Sequence, residues 1–277
     1  MDKEQQKDLA QAFRRLHTKA EILLLPNAWD AGSAALFARQ GFAAIATTSG
    51  GLAWSLGYAD GEQAPLGEVL AAIARIVRAV SVPITVDLES GYGDTPQAVA
   101  ETVRAVLATG VVGINLEDGL PGHGPLRSIE DAAARVAAAR AAADAAGIAL
   151  VINARVDCWM HSLPDPAAPL DEALARGRAY LAAGADGLFP IGLRDPDTLS
   201  RFAAAVAVPV NVAAGAGVPS LAELARLGVK RVSTATRLAT VAYGAADEAL
   251  RAVQETGQFD ALGGRFTYQD AQQLFEA

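Results

Sequence analysis

Three observations predict an α/β fold closed into a (β/α)8 TIM-type barrel. Eight short runs are continuously apolar, as strands buried on both faces should be. They alternate with longer Ala/Leu/Arg stretches that carry helical spacing. The alternation repeats eight times within 277 residues, close to the roughly 250 typical of such a barrel. A doubly wound open sheet alternates in the same way, but eight units without a second domain favour closure.

The strands are read at 22–26 (ILLLP), 42–47 (FAAIAT), 83–88 (PITVDL), 111–116 (VVGINL), 148–154 (IALVINA), 186–190 (DGLFP), 208–213 (VPVNVA) and 229–233 (VKRVS). The helices are read at 29–40, 66–79, 95–109, 128–146, 170–183, 195–205, 219–227 and 234–256. Asp94-Thr95-Pro96 and Pro219-Ser220 supply start signals. Gly41, Gly110, Gly147, Gly184 and Gly228 follow helices, where a left-handed residue leads into the next strand. The Ala-rich stretch 132–146 is a good helix former. Two pieces stand outside: an amphipathic helix at 3–20, and a tail, 257–277, with a helix start at Thr267 and apolar Ala271, Leu274 and Phe275. The chain thus reads as one barrel domain over 1–277, with an added N-terminal helix (3–20), barrel elements (22–233) and C-terminal helices (234–277).

Composition narrows the function classes. There are 23 Lys+Arg against 31 Asp+Glu, a formal charge of −8, and 52% of residues are hydrophobic. That is enough apolar material for one large core and too much for a disordered chain. The acidic balance argues against a nucleic-acid partner, because phosphate binding needs clustered Lys and Arg. The single cysteine, Cys158, excludes an internal disulfide framework and a cysteine-based zinc site, and reads as a small buried residue. No stretch approaches about 18 consecutive apolar residues, so no membrane span is expected. The opening MDKEQQKDLAQAF lacks the apolar stretch of a secretory signal, and a cytoplasmic location is expected.

In a barrel of this kind, function sits at the carboxyl ends of the strands. The third strand runs into Asp87-Leu88-Glu89-Ser90-Gly91-Tyr92-Gly93, the fourth into Asn115-Leu116-Glu117-Asp118-Gly119, and the fifth into Asn153-Ala154-Arg155-Val156-Asp157. Asp87, Glu89 and Glu117 therefore converge on one mouth. Clustered carboxylates repel one another, and a divalent cation relieves that repulsion. Carboxylate and water ligands suit Mg²⁺ or Mn²⁺; no histidine sits at these strand ends, which argues against zinc or non-haem iron. The alternative is that the acids cap the following helices or pair with Arg155. Thr47-Thr48-Ser49-Gly50-Gly51 is a Gly-rich turn at the same rim, either an anion-binding nest or an ordinary loop. Arg155 suits bidentate carboxylate binding, or an ion pair with Glu117 or Glu89. Asn211, on the seventh strand, is a further candidate substrate contact.

These motifs resemble the isocitrate lyase/phosphoenolpyruvate mutase superfamily, and within it the phosphonomutase/carboxyvinyl-carboxyphosphonate phosphorylmutase-like branch. The matching stretches are Pro26-Asn27-Ala28-Trp29-Asp30, Thr48-Ser49-Gly50-Gly51, Gly57-Tyr58-Ala59-Asp60-Gly61, Val86 through Gly93, Gly113-Ile114-Asn115-Leu116-Glu117-Asp118 and Asn153-Ala154-Arg155. The resemblance implies a Mg²⁺ site, with Mn²⁺ as substitute, a 2-oxo or 2-hydroxy carboxylate ligand and chemistry through a metal-stabilised enolate. It implies Asp87 as the direct metal ligand, with Asp60, Glu89 and Glu117 holding metal-bound waters. Ser49, Gly50, Gly51, Asp60 and Arg155 become substrate contacts, and Arg155 and Glu117 catalytic residues. It also implies a last helix swapped between subunits, which gives 234–277 a role in a homodimer or homotetramer.

One departure bears on activity. Isocitrate and methylisocitrate lyases carry a K-(K/R)-C-G-H loop after the fourth strand, whose thiol donates a proton; the mutases keep a Lys and an Asn there. Here the segment from Asp118 to Arg127 (DGLPGHGPLR) has neither Cys nor Lys. His123 is its one group that titrates near neutrality, and so is the candidate acid/base, or else a solvated loop histidine. Arg127 is a second carboxylate contact or a helix-start residue. His17 and His161 have no supporting context.

Decarboxylation of an oxaloacetate-like substrate needs little beyond a metal and an arginine, which suits the missing thiol. The expected function is therefore a Mg²⁺-dependent C–C lyase acting on a small 2-oxo or 2-hydroxy dicarboxylic acid. The alternatives are P–C bond chemistry on a phosphonopyruvate-like compound, and a non-catalytic 2-oxoacid binder. A Schiff-base aldolase is disfavoured, because the one strand lysine, Lys230, starts its strand and so lies at the wrong face.

Overall fold

The computed structural model describes residues 2–122, 124–160, 168–264 and 266–276. The strands are β1 (Leu23–Leu25, continued beyond Pro26 by Asn27–Ala28), β2 (Ile45–Thr47), β3 (Ile84–Asp87), β4 (Gly113–Glu117), β5 (Val151–Val156), β6 (Gly187–Pro190), β7 (Asn211–Ala213) and β8 (Arg231–Ser233). β2 to β6 pair in sequence order, all parallel. β1 links the two ends of the ring: its first half pairs with β8 and its second with β2. Pro26 stands at the change of partner, where its missing N–H removes a ladder donor; its carbonyl still accepts from Ala46 N at 2.9 Å. β7 pairs with β8, and a bridge from Leu188 to Val210 joins β6 to β7. The ring closes, as the (β/α)8 reading expects.

The helices are α1 (Lys3–Leu16), α2 (Ala31–Arg39), α3 (Ser49–Leu56), α4 (Leu66–Arg78), α5 (Pro96–Ala108), α6 (Ile129–Ala146), α7 (Ala168–Ala182), α8 (Pro196–Val206), α9 (Leu221–Arg226), α10 (Arg237–Thr256) and α11 (Tyr268–Gln273). Most fall where the sequence places them, trimmed at the ends. The Gly-rich turn is a correction: Ser49, Gly50 and Gly51 begin α3, whose N-cap Thr48 accepts from Gly51 N at 3.3 Å. Its glycines are there for packing, since a Cβ on Gly51 would come within 2.9 Å of the Trp29 Cβ. α10 begins at Arg237, later than expected, because the preceding residues are tied to β1. Thr234 Oγ1 accepts from Asn27 N at 2.8 Å, and Ala235 N donates to Asn27 Oδ1 at 3.0 Å.

α1 closes the barrel floor. Phe13 is fully buried against Gly113, where a Cβ would come within 2.6 Å of its ring. Arg231, buried on β8, donates to Asn115 Oδ1 at 3.1 Å and lies 3.5 Å from His17 Nε2. Burial, with Arg231 adding to it, lowers the His17 pKa to about 4. Between the ordinary value of about 6.5 and that value, the unfolded chain binds a proton that the folded chain refuses. Stability is therefore expected to fall as pH drops through this window, by up to about 3 kcal/mol. Melts of the parent and of His17→Gln at pH 7 and pH 4 check this; an equal acid loss in both would refute it.

α10 is the exception to this burial. Ala239 is its one buried residue, while Val241, Tyr243 and Leu250 are exposed, as are Phe259, Leu262, Phe266, Tyr268 and Phe275 beyond it. Among the described residues no helix is long and apolar enough to cross a membrane.

Candidate active site

A cavity of about 130 Å³ opens at the carboxyl ends of the strands. Ser49, Asp60, Asp87, Asn115 and Arg155 form its polar side; Met160, Phe189 and Ile191 form an apolar one. A wider groove of about 460 Å³ lies at the other end, beside α1, lined by Lys3 and Arg104 and by no carboxylate. The smaller cavity is the one with convergent charged groups at the functional end of the fold.

Asp87 is the last residue of β3. Its Oδ2 accepts from Ser49 Oγ at 2.9 Å, while Oδ1 is buried without a hydrogen-bond partner. Asp60 Oδ1 is likewise buried and unpartnered. The Asp60 carboxylate is able to approach because residue 50 is glycine: a Cβ there would lie 3.0 Å from Asp60 Oδ2. Buried polar atoms are almost always paired, so two orphaned carboxylate oxygens in one cavity are groups that could hold a cation.

Glu89 lies just beyond β3, in a left-handed turn at φ 51°; Tyr92 at 51° and Glu62 at 60° share that strained conformation. The strain is held by a clasp. Glu62 N donates to Glu89 Oε2 at 2.7 Å, Tyr92 OH to Glu89 Oε1 at 2.9 Å, and Ser90 Oγ to Glu62 Oε1 at 2.8 Å. Each such residue costs about 1–3 kcal/mol and persists only when its surroundings enforce it. Burial, reinforced by Asp87, pushes the Glu89 carboxyl up to about 7. Burial also pushes Glu117 well up, with Asp157, Asp87 and Glu89 adding to it against Arg155.

Arg155 is the counter-charge. It faces Glu117 across the β4–β5 register, with Nη1 to Glu117 Oε2 at 2.5 Å. Asp157, the residue after β5 ends, grips it through Nε at 2.8 Å and Nη2 at 2.6 Å. Burial opposes the guanidinium charge, but Glu117 and Asp157 more than offset this, so the Arg155 pKa is raised. Asp157 is anchored in turn: its N–H donates to Asp118 Oδ1 at 2.9 Å, and Asp118 Oδ2 accepts from Tyr180 OH at 2.7 Å and Arg176 at 3.2 Å. A guanidinium has five N–H donors. Three serve the two acids, which leaves two for a ligand.

The structure thus brings Ser49, Asp60, Asp87 and Arg155 onto the cavity, with Glu117 reaching it through Arg155 and Glu89 standing behind. Gly50 and Gly51 lie in the first turn of α3 rather than in a loop nest. Asn211 is placed deeper than expected. It begins β7, level with Arg231, and its Nδ2 donates to Ser233 Oγ at 3.1 Å. The acid/base candidate His123 lies outside the described residues, as does His161. Arg127 pairs with Asp131 at 3.2 Å, in keeping with a helix-start role. Cys158 is buried, and burial pushes its thiol up to about 12, away from nucleophilic use. Sequence reading missed Glu62, Asp157, Arg176 and Tyr180. The signal that was available is the position of Asp157, two residues after Arg155 and directly past the carboxyl end of β5.

In barrel enzymes the active site lies at this end of the strands. The family model described as phosphoenolpyruvate phosphomutase matches residues 13–254, and the chain belongs to that family, an enzyme family within the isocitrate lyase/phosphoenolpyruvate mutase superfamily. An uncharacterized protein of Mycobacterium tuberculosis H37Rv is 37% identical over 89% of this chain and 90% of its own. The 2-methylisocitrate lyase of Escherichia coli K12 is 36% identical over 72% and 67%. An oxaloacetate decarboxylase of Bradyrhizobium is 33% identical over 73% and 67%. Among solved structures, a provisionally named lyase/mutase from Burkholderia cenocepacia J2315 is 40% identical with a TM-score of 0.92, covering 99% of this chain and 98% of its own. An oxaloacetate acetylhydrolase with bound oxalate is 25% identical with a TM-score of 0.86, covering 96% and 93%.

Proposed function

We propose that this protein is a Mg²⁺-dependent lyase acting on a small 2-oxo or 2-hydroxy dicarboxylic acid, with decarboxylation of an oxaloacetate-like substrate favoured. The observation that carries the reading is the pair of unpartnered buried oxygens, on Asp60 and Asp87, lining one cavity with a clamped Arg155. The donor set suits Mg²⁺ or Mn²⁺, being oxygen alone. Among the described residues no three His, Cys, Asp or Glu side chains already form a metal-binding group. Asp87 would hold the cation directly, with Asp60, Glu89 and Glu117 acting through water, since Mg²⁺ commonly keeps several waters.

When bound, the cation supplies Lewis-acid stabilisation of charge that develops on an oxygen beside the breaking bond. The chain supplies the rest. The two N–H groups left on Arg155 bind a substrate carboxylate or the developing oxyanion, and their orientation is fixed before substrate arrives. The N-terminus of α3, at Ser49 and Gly50, adds positive potential at the same rim. Phe189, Ile191 and Met160 give the cavity an apolar side against which the substrate carbon skeleton would lie. Loss of CO₂ from a carboxyl group β to the keto carbon, as in oxaloacetate, leaves the electron pair on the enolate oxygen and needs charge stabilisation there more than a placed proton donor, so the absence of Cys and Lys from 118–127 is tolerated. The oxaloacetate decarboxylase among the relatives supports the same reading.

A panel of 2-oxo and 2-hydroxy acids with Mg²⁺, read by pyruvate formation, tests this. Turnover of oxaloacetate supports it. Phosphate release from phosphonopyruvate moves the reading to P–C chemistry, which the family description also favours. Tight oxalate binding without turnover makes the protein a binder. If no divalent ion binds or stabilises it, the metal assignment fails. We also propose that copies associate as a homodimer or homotetramer through α10 and the tail, with the last helix swapped, because so large an exposed apolar surface calls for a partner. A solution mass of one 28.5 kDa chain would overturn that.

A further inference from the structure

Asn115 lines the active-site cavity beside Asp87 and Arg155, yet neither the metal site nor the arginine clamp makes use of it. It stands on β4 two residues before Glu117, so the pleat turns both side chains to one side of the sheet. Across the ladder it is in register with Asp87 on β3 and with Asn153 on β5. The residue is 5% exposed.

Its amide is held one way round. Oδ1 accepts from Asn153 Nδ2 at 2.9 Å and from Arg231 Nη2 at 3.1 Å. A guanidinium has donors and no acceptor, so the amide oxygen is the end that meets it. Arg231 enforces that choice because it is short of acceptors. It is buried, its Nε has no partner, and among the described residues it forms no salt bridge. Turning the amide over would set N–H against N–H and take an acceptor from a buried cation. The other end of the amide is free. Among the described residues Asn115 Nδ2 donates to no protein atom, and its open side is the cavity. Asp87 on the next strand accepts from Ser49 instead, and its Oδ1 stays unpartnered. Two amide donors, locked from behind, are thus left for a ligand.

We propose that Asn115 is a substrate-binding residue, whose amide N–H groups donate to an oxygen of the bound 2-oxo or 2-hydroxy acid. This rests on the reading of the cavity as a site for such an acid and adds a residue to it. Asn115 supplies a neutral donor in addition to the two N–H groups left on Arg155. Neutrality suits the place: a further cation beside Asp87 would repel a divalent ion, whereas an amide gives the acid a hydrogen bond without that cost.

The experiment measures the dissociation constant of Mg²⁺ alone, then that of oxalate with Mg²⁺ saturating, in wild type, Asn115→Leu and Asn115→Asp. Leucine has nearly the same shape and removes the donors without changing charge. Aspartate keeps an oxygen for Arg231 and Asn153, exchanges the free donors for an acceptor, and pairs with Arg231, which favours folding. Both variants are expected to bind Mg²⁺, the aspartate variant at least as tightly as wild type. Oxalate is expected to bind Asn115→Leu about 10- to 100-fold more weakly, the worth of a hydrogen bond to a charged group, and Asn115→Asp more weakly still. Oxalate affinity unchanged in Asn115→Leu would overturn the proposal, as would loss of Mg²⁺ and oxalate together, which would give Asn115 a structural part only. Where the leucine variant does not fold, unchanged oxalate affinity in Asn115→Asp overturns it. Failure of wild type to bind oxalate would overturn the reading of the cavity itself, and this inference with it.

Discussion

Replacing Asp87 by Ala is expected to reduce kcat/KM by about 10³-fold or more, while the metal-free protein melts no lower than its parent. The first part follows from chemistry: a Lewis acid at a developing oxyanion is worth several kcal/mol, and each 1.36 kcal/mol is tenfold in rate. The second part follows from electrostatics. Burial is the main cause of the raised Glu89 pKa, and Asp87 is the next. Removing Asp87 therefore relieves repulsion in the empty site, and Ser49 Oγ, its hydrogen-bond partner, borders the cavity and can be solvated. The stabilisation conferred by added Mg²⁺, read as a shift in melting temperature, is expected to vanish in the same variant. A variant that still gains from Mg²⁺ would show that the ion binds elsewhere.

The fold was legible because parallel barrel strands are buried on both faces and so read as unbroken apolar runs. The elements that escaped are those whose conformation is settled by distant partners. α3 is the clearest case. Its opening Ser49-Gly50-Gly51 has turn composition, and the helix depends on the Thr48 cap and on glycines that fit beside Asp60, Trp29 and Ala239. Likewise, nothing local to Thr234–Thr236 delays α10; its bonds to Asn27, some two hundred residues earlier, do so.

In the site, Asp87, Glu117 and Arg155 could be named because a strand end is a position that sequence order reveals. Asn211, offered as a substrate contact from its place on the seventh strand, opens the β7 strand and is buried there against Ser233, a placement that depends on the partner strand rather than on local sequence. Glu62 was invisible for a different reason. It contacts Glu89 through its own backbone N–H and accepts from Ser90 and Tyr92, from a left-handed loop residue in no regular element. A residue of that kind leaves no periodicity to detect.

Arg155→Met is expected to do two separable things. Methionine retains much of the volume and removes the charge, so Glu117 and Asp157 are left buried without their partner. Breaking a buried pair in this way costs about 3–5 kcal/mol, or about 10 °C in melting temperature for a chain of this size. Activity is expected to fall by about 10²–10³-fold in kcat, the usual loss when a preorganised oxyanion donor is removed. Mg²⁺ binding, by contrast, is expected to persist or tighten, because the site gains net negative charge. That outcome is opposite to the one for Asp87→Ala, and the pair distinguishes a cation ligand from a counter-charge. Adding Asp157→Leu to Arg155→Met removes one stranded carboxylate. The double variant should therefore be more stable than the sum of the single losses predicts, with a coupling of about 1–3 kcal/mol. Strict additivity in that cycle would mean that Asp157 does not clamp Arg155, and that the guanidinium is oriented by Glu117 alone.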